Sequence, residues 1–299
     1  MTRVSCYICE GDCRPGVRQG GYLYRICETC ATAQLSPIPT EDEVQEFYDR
    51  YHSSPEQGGS YAAFESRMQA DFPTKVRLVR RFAASGTADA RIQLLDVGCG
   101  KGYFLNQAGL DGLEGTGIDL SRSAVKFARE TLHVDARAGR IEKDAPPEWQ
   151  GAFDAVTFWA SIEHLRDPLS VLQAIWRCLK PGGILLCDTG LGAAPWEGRL
   201  AGYSQWYDAP EHIFVFSRTG LLTLLSRAGF DVVHADDNSE RNRFRRVLRS
   251  VRHAAVCQLS SCLFRPLLGR AGFQAMKTTA KWPIGRLLFV AARKRRAGE

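Results

Sequence analysis

Leu94-Leu95-Asp96-Val97-Gly98-Cys99-Gly100-Lys101-Gly102 is the stretch on which the fold turns. A short apolar run takes up a carboxylate, then breaks into alternating glycines ahead of an amphipathic segment at 103–110. Glycines at this spacing let the backbone turn sharply and approach a ligand closely, so the stretch reads as strand, tight turn and helix. A lone G-x-G-x-G is shared by many nucleotide sites. Asp96 separates this one from a pyrophosphate loop, which would not favour a carboxylate two residues before the first glycine. A second carboxylate, Asp119, ends the next apolar run in Gly117-Ile118-Asp119-Leu120-Ser121. At the carboxyl end of a strand it suits the two hydroxyls of a ribose. The competing reading makes both aspartates plain turn or helix caps.

Outward from this stretch, short apolar runs alternate with amphipathic helices. The runs are 92–97, 115–119, 153–158 and 183–188, with a weaker one at 134–138. The helices are 103–110, 121–132 and 168–179. This alternation predicts a parallel sheet covered by helices on both faces. Ser217 caps a further helix that Gly229 stops, 230–235 is a strand, and a last strand at 286–293 follows a long insertion. Upstream, 53–60 reads as a Ser/Gly/Pro linker, with helices at 61–71 and 74–84 broken at Pro73.

At this point the chain resembles the class I S-adenosylmethionine-dependent methyltransferases over roughly residues 92–293. The resemblance rests on the glycine stretch and Gly117–Ser121. It also rests on Phe153-Asp154-Ala155-Val156, Ile162-Glu163-His164 with Asp167-Pro168, and Leu179-Lys180-Pro181-Gly182-Gly183. It implies an α/β fold, a Rossmann-like seven-stranded sheet whose last strand runs antiparallel. It implies S-adenosylmethionine as cofactor, with Asp96 by the amino group and Asp119 on the ribose hydroxyls. Gly98, Cys99, Gly100, Gly102, Leu120, Ile141 and Trp159 complete the implied cofactor contacts. Adenine falls at 139–142, where the family often has an acidic residue just after the glycine and this chain has Arg140.

Five of the ten cysteines lie in the first 30 residues. Cys6, Cys9, Cys27 and Cys30 form C-x2-C-x17-C-x2-C, a spacing that closes four thiolates around one zinc ion. Two disulfides are the alternative, and they suit a cytoplasmic chain poorly. A four-thiolate zinc has no open position, so its role is structural. Cys13 is left as a spare thiol or alternative ligand. A Cys-x2-Cys ribbon followed by Gln34-Leu35-Ser36-Pro37 and a Glu-rich helix resembles the ubiquinone-methyltransferase-like proteins, many of them from bacterial glycan or secondary-metabolite pathways. Sugar C-methyltransferases with a related zinc module usually carry a second C-terminal domain; this chain ends at 299. The expected division is a zinc ribbon at 1–39, a helical linker or lid region at 40–90, and a cofactor-binding body at 91–299 with a basic helical insertion at about 238–284. Thr40 and Glu43 form a capping box for a helix over 41–51.

The acceptor should lie beyond the carboxyl ends of the strands. His164 and His212 fall there, each preceded by a carboxylate, Glu163 and Glu211. Either imidazole can take a proton from an acceptor near neutral pH, with the carboxylate as orienter; Glu163, His164 and His212 are therefore the candidate catalytic residues. The competing reading of His164 is an anchor for the helix at Pro168. The aromatic segment 190–216 is a lid over the acceptor or a satellite core.

Net charge is +6, yet residues 240–299 hold 15 Lys/Arg against 2 Asp/Glu, so the rest of the chain is net acidic. A basic amphipathic stretch at 241–259 covers the acceptor cleft, touches an anionic membrane surface, or is simply a solvated face. No run of 18 apolar residues and no secretory h-region occur, so a cytoplasmic protein is expected. The expected function is methyl transfer to a small-molecule or glycan acceptor, most simply to oxygen. An RNA methyltransferase gripping phosphate with the ribbon and basic region is a second reading. It is weakened by Arg3, Arg14, Arg18 and Arg25 being balanced by Glu10, Asp12 and Glu28, and by the absence of an Asn/Asp-Pro-Pro-Tyr motif. A non-catalytic cofactor-binding or zinc scaffold is a third, and the intact Asp96 and Asp119 argue against it.

Overall fold

The computed structural model describes residues 4–19, 21–44, 55–83, 91–192, 206–237 and 286–295, with backbone alone at 55–68 and 286. The expected basic insertion, the stretch 241–259, most of the helix at 41–51, and Trp196 and Tyr203 of the aromatic segment lie outside the described residues.

Two sheets organise the chain. The larger has seven strands: β4 (Gln93–Val97), β5 (Glu114–Asp119), β6 (Asp135–Ala138), β7 (Phe153–Trp159), β8 (Leu179–Leu191), β10 (Phe230–Asp236) and β11 (Arg286–Lys294). Their order across the sheet is β10-β11-β8-β7-β4-β5-β6. The pairs among β6, β5, β4, β7 and β8 are parallel, and β11 runs antiparallel to both β8 and β10. This is the expected Rossmann-like sheet with its reversed last strand. Because successive strand residues face opposite ways, Leu95, Val156, Phe158 and Leu185 pack on one face, and Leu94, Ala155 and Leu186 on the other.

Helices α1 (Pro55–Ala83), α2 (Tyr103–Leu110) and α3 (Arg122–Thr131) cover the second face through Val76, Val79, Phe104, Leu105, Val125 and Ala128. The short α4 (Ile141–Asp144) follows β6. Helices α5 (Pro168–Cys178) and α6 (Arg218–Arg227) cover the first face. Asp167 accepts from the Ser170 N–H at 3.0 Å and Ser217 from the Gly220 N–H at 2.8 Å, which satisfies N–H groups that the first turn leaves open.

Two expectations upstream of the sheet are corrected. Residues 55–60, read as linker, are helical, and Pro73 does not split α1. A proline costs one main-chain hydrogen bond, but Val76 and Val79 just beyond it are buried against the sheet helices, so tertiary packing holds the helix together. The capping box is present: the Thr40 N–H donates to Glu43 at 2.6 Å, and the Glu43 N–H to Thr40 Oγ1 at 3.2 Å.

The smaller sheet is built from β1 (Cys13–Gln19), β2 (Tyr22–Cys27), β3 (Ala33–Leu35) and β9 (Phe214–Val215), in that order. The last of these strands comes from the body, so the ribbon shares a sheet with it, and Cys6, Ile8, Cys27 and Cys30 pack into the same core as α5 and α6. No described helix is long and apolar enough to cross a membrane.

Gly102 caps α2 with φ +78°, and a Cβ there would lie 2.7 Å from Val134 Cγ2 and 2.9 Å from Ala128 Cβ. Gly100 has φ +51° and open space around it. Gly102→Ala should therefore cost about 1–3 kcal/mol, strain and overpacking combined, and Gly100→Ala about 1 kcal/mol from backbone strain alone. Urea denaturation of both variants checks the order, and equal losses would contradict it.

Candidate functional site

The carboxyl ends of β4, β5, β7 and β8 carry four acidic or hydroxyl side chains within reach of the glycine turn. Asp96 is only 3% exposed and accepts a hydrogen bond from the Thr157 hydroxyl at 2.6 Å, across the β4–β7 register that pairs these two residues. Burial pushes its carboxyl up to about 7, against the pull of the Thr157 hydrogen bond and the Lys75 charge, while Asp119 adds to the rise. A carboxylate kept here without solvent implies a cationic partner.

Asp119 shapes the turn itself. Its Oδ2 accepts the Gly100 N–H and its Oδ1 the Ser121 N–H, both at 2.8 Å. The carboxylate thus caps the turn, as the competing reading has it. The Gly98 N–H donates to the Ile118 carbonyl at 2.8 Å, and Gly98 and Gly100 hold φ +70° and +51°. Around Gly100 nothing would meet a Cβ, whereas at Gly98 a Cβ would meet Ser161 Oγ at 2.7 Å. The turn is thus open on one side and presses on the segment after β7 on the other. Cys99 is buried, Leu120 half-buried beside Asp119, and Ile141 buried as the first residue of α4. Arg140, in the place of the family's acid, pairs with Glu41 at 3.1 Å, and Lys143 and Arg166 converge on the same carboxylate. That contact draws the segment after the ribbon to the turn between β6 and α4.

Sequence reasoning missed Lys75, Thr157 and Asp188. Lys75, on α1, is buried and pairs with Asp188 at 2.8 Å. Its ammonium also sits 4.4 Å from the centroid of the Trp159 ring. Asp188 accepts the Ala160 N–H at 2.8 Å. One lysine in an amphipathic helix carries no signal of burial. Trp159 is buried, and its Nε1–H has no hydrogen-bond partner among the described residues. An orphaned donor, an open glycine turn and a buried carboxylate form a donor and acceptor set that fits an amino-acid ammonium and carboxylate joined to a ribose. S-Adenosylmethionine has these groups.

Glu163, His164 and His212 come together at one point. One ligand atom from each lies within 4.8 Å of the others, and the two imidazole rings are 4.7 Å apart and edge to face. His164 Nδ1 donates to the Glu211 carbonyl at 3.0 Å and His212 Nδ1 to the Trp206 carbonyl at 2.9 Å. A carbonyl only accepts, so each Nε2 carries the lone pair. The three side chains are thus competent as a proton acceptor or as a two-histidine, one-carboxylate cation site. Burial pushes the Glu163 carboxyl above its usual range, and Thr189 donates to it at 2.9 Å. Glu211 holds the His164 ring through its main-chain carbonyl, and the Glu163 carboxylate, which accepts from Thr189, lies within 4.8 Å of ring nitrogens of both histidines. The N-cap of α5 is Asp167.

Cys6, Cys9, Cys27 and Cys30 also converge within 4.8 Å. Sγ atoms of Cys6 and Cys30 are 3.7 Å apart, and those of Cys9 and Cys27 are 3.4 Å apart. Four thiolates about 2.3 Å from one zinc would lie about 3.8 Å from each other. Main-chain N–H groups of Ile8, Thr29 and Cys30 point at Cys6 or Cys27 sulfur at 3.3–3.4 Å, as suits thiolate ligands. The residues fit the ion.

Comparison with known proteins bears on the family and the fold. A family described as a methyltransferase domain matches residues 64–235. A ubiquinone biosynthesis O-methyltransferase of Xanthomonas oryzae is 39% identical over 142 residues, covering 43% of this chain and 58% of its own length. One from Chromobacterium violaceum is 40% identical over 104 residues, covering 32% and 44%. The chain thus spans about half the length of these relatives. Among solved structures, the [4+2]-cyclase SpnF aligns with TM-score 0.51 and 26% identity over 74% of this chain and 82% of its own. A methyltransferase-like protein from Bacillus halodurans aligns with TM-score 0.51 and 19% identity over 74% and 99%, a likeness of fold.

The raised carboxyl of Asp96 has a stability consequence. Its folded-state value lies above the ordinary carboxylate value, so the folded chain binds the extra proton. The stability this adds is present below about pH 4 and lost as pH rises through about 7. Asp96→Asn keeps an acceptor for Thr157 and removes the charge. Thermal melts should show the variant gaining a few degrees on wild type between about pH 5 and pH 8. A constant difference across that range would contradict the burial argument.

Proposed function

Because the chain belongs to the methyltransferase-domain family, with the sheet of the class I S-adenosylmethionine-dependent enzymes, we propose that it methylates a hydroxyl of a small molecule or glycan. The convergence of Glu163, His164 and His212, two of them on the segment after β7 whose Ser161 faces Gly98, carries this reading. Bound S-adenosylmethionine supplies a sulfonium methyl group open to in-line displacement. Asp96 holds the cofactor's ammonium, Asp119 its ribose hydroxyls, and Lys75 with the Trp159 indole faces its carboxylate end. Gly98, Cys99, Gly100, Gly102, Leu120 and Ile141 shape the rest of the cradle. The imidazole cluster takes the acceptor's proton. Residues 1–39 act as a zinc ribbon on Cys6, Cys9, Cys27 and Cys30, 40–90 as the lid region and 91–299 as the catalytic body. The ubiquinone O-methyltransferase relatives support oxygen as the methylated atom.

The meeting of three ligand atoms supports a second reading of the proton step. A divalent cation at the cluster would leave open positions for acceptor oxygens and ionise the hydroxyl. Chelation followed by Mg²⁺ separates the two readings. Magnesium is a poor ion for thiolates, so recovery with it alone speaks for the cation, and activity untouched by chelation speaks for the imidazole.

Calorimetry should give one S-adenosylmethionine per chain, with Asp96→Ala and Asp119→Ala weakening it about tenfold to a hundredfold. Wild type without binding would overturn the proposal. His164→Gln or His212→Gln should cut methyl transfer about 10²–10⁴-fold and remove the ascending limb of the pH–rate profile, with cofactor affinity kept. Transfer from methyl-labelled cofactor to a panel of catechols and sugars reads this. The RNA reading instead requires activity on RNA that falls steeply with salt.

A further inference from the structure

His212 belongs to the body of the chain, but much of what holds its main chain comes from the ribbon. The Tyr24 hydroxyl, on β2, donates to the His212 carbonyl at 2.6 Å. The next residue is held from both sides: the Leu35 N–H donates to the Ile213 carbonyl at 3.0 Å, and the Ile213 N–H to the Glu163 carbonyl at 2.8 Å. Phe214 and Val215 then pair with Gln34 and Ala33 as the β3–β9 ladder. Four consecutive residues from His212 are thus gripped by the ribbon. The last ties sit beside the cysteines: the Ser217 hydroxyl donates to the Cys30 carbonyl, and the Ser217 N–H to Thr32 Oγ1 at 3.4 Å. Tyr24 stands on the same strand as Cys27, three residues before it. Whatever fixes the four sulfurs therefore fixes the strand that carries the phenol.

Tyr24 is fully buried and packs edge-on against Tyr207, ring centroids 5.1 Å apart. Packing alone would be served equally well by phenylalanine. What phenylalanine lacks is the hydroxyl, and that hydroxyl is spent on the residue bearing the imidazole. His212 Nδ1 is engaged by the Trp206 carbonyl and its ring lies against His164. A shift of the His212 main chain would therefore carry Nε2 away from the point it shares with His164 and Glu163.

We propose that the cysteine ribbon is a positioning element of the acceptor site, and that Tyr24 is the positioning residue through which it sets the His212 imidazole. The proposal rests on the reading above in which His212 acts at the acceptor. It gives the ribbon a part in the transfer step and none in cofactor binding, since Asp96, Asp119 and the glycine turn are held by the large sheet.

The test is Tyr24→Phe in the full zinc-loaded chain, with Tyr24→Leu as a packing control. The first readout is kinetic, with methyl-labelled S-adenosylmethionine and the probe catechol 3,4-dihydroxybenzoate. Tyr24→Phe should lower kcat about ten- to a hundredfold, the order expected for a small misplacement of a reacting group, with cofactor affinity and melting temperature near wild type. The second readout needs no acceptor: the Cε1–H resonances of the histidines in ¹H–¹³C spectra. Those of His212 and His164 should move, and those of His133 and His234 should stay. Wild-type kcat with unmoved His212 and His164 resonances would overturn the proposal. So would a loss of cofactor affinity and melting temperature in step with kcat, which marks a merely structural residue. If wild type methylates no catechol, the oxygen-transfer reading is in question, and the resonances alone then decide: a change confined to His212 and His164 supports the clamp, and no change refutes it.

Discussion

The grip of the Asp119 carboxylate on the Gly100 and Ser121 N–H groups is the interaction on which the site depends. It ties the turn after β4 to the end of β5. Without it, the glycine-rich backbone would have no reason to prefer its open arrangement over many others. With it, the turn is fixed against the segment after β7. Asp96 is then shut away beneath the turn. Its burial is offset in part by Thr157 and by Lys75, itself neutralised by Asp188. The cost left over, visible in the raised carboxyl, is the kind of destabilisation that binding a cationic ligand relieves.

Much of this was legible from spacing. Alternation of apolar runs and amphipathic segments located the five parallel strands, and the late run at 286–293 is the reversed strand β11. Cysteine spacing brought four sulfurs to one point. What was not legible depends on tertiary packing. Pro73 and the Ser/Gly/Pro run at 53–60 carry local signals against helix, overruled by burial further along α1. The β3 and β9 strands are three and two residues long, too short for any periodicity to show. Nothing in the sequence announces that Lys75 turns inward or that Glu211 acts through its carbonyl.

The fold alone does not decide the reaction. A cyclase is among the structures this chain resembles, so the fold is compatible with more than one chemistry. The distinction has to be sought at the histidine end, where two imidazoles with Nδ1 tied to main-chain carbonyls and a buried glutamate meet. The ribbon lies beside that end and not beside Asp96 or Asp119. Its strand pairing with residues 214–215 ties it to the segment that carries His212.

The central claim is that the cleft between Asp96 and Asp119 holds S-adenosylmethionine with its reactive end toward the histidine pair. A crystal structure of the complex with S-adenosylhomocysteine tests it most directly. The account predicts the ribose hydroxyls on the Asp119 carboxylate, the amino group beside Asp96, and the sulfur facing Glu163, His164 and His212. Ligand seated elsewhere, or in this cleft with its sulfur turned from the histidines, would contradict it.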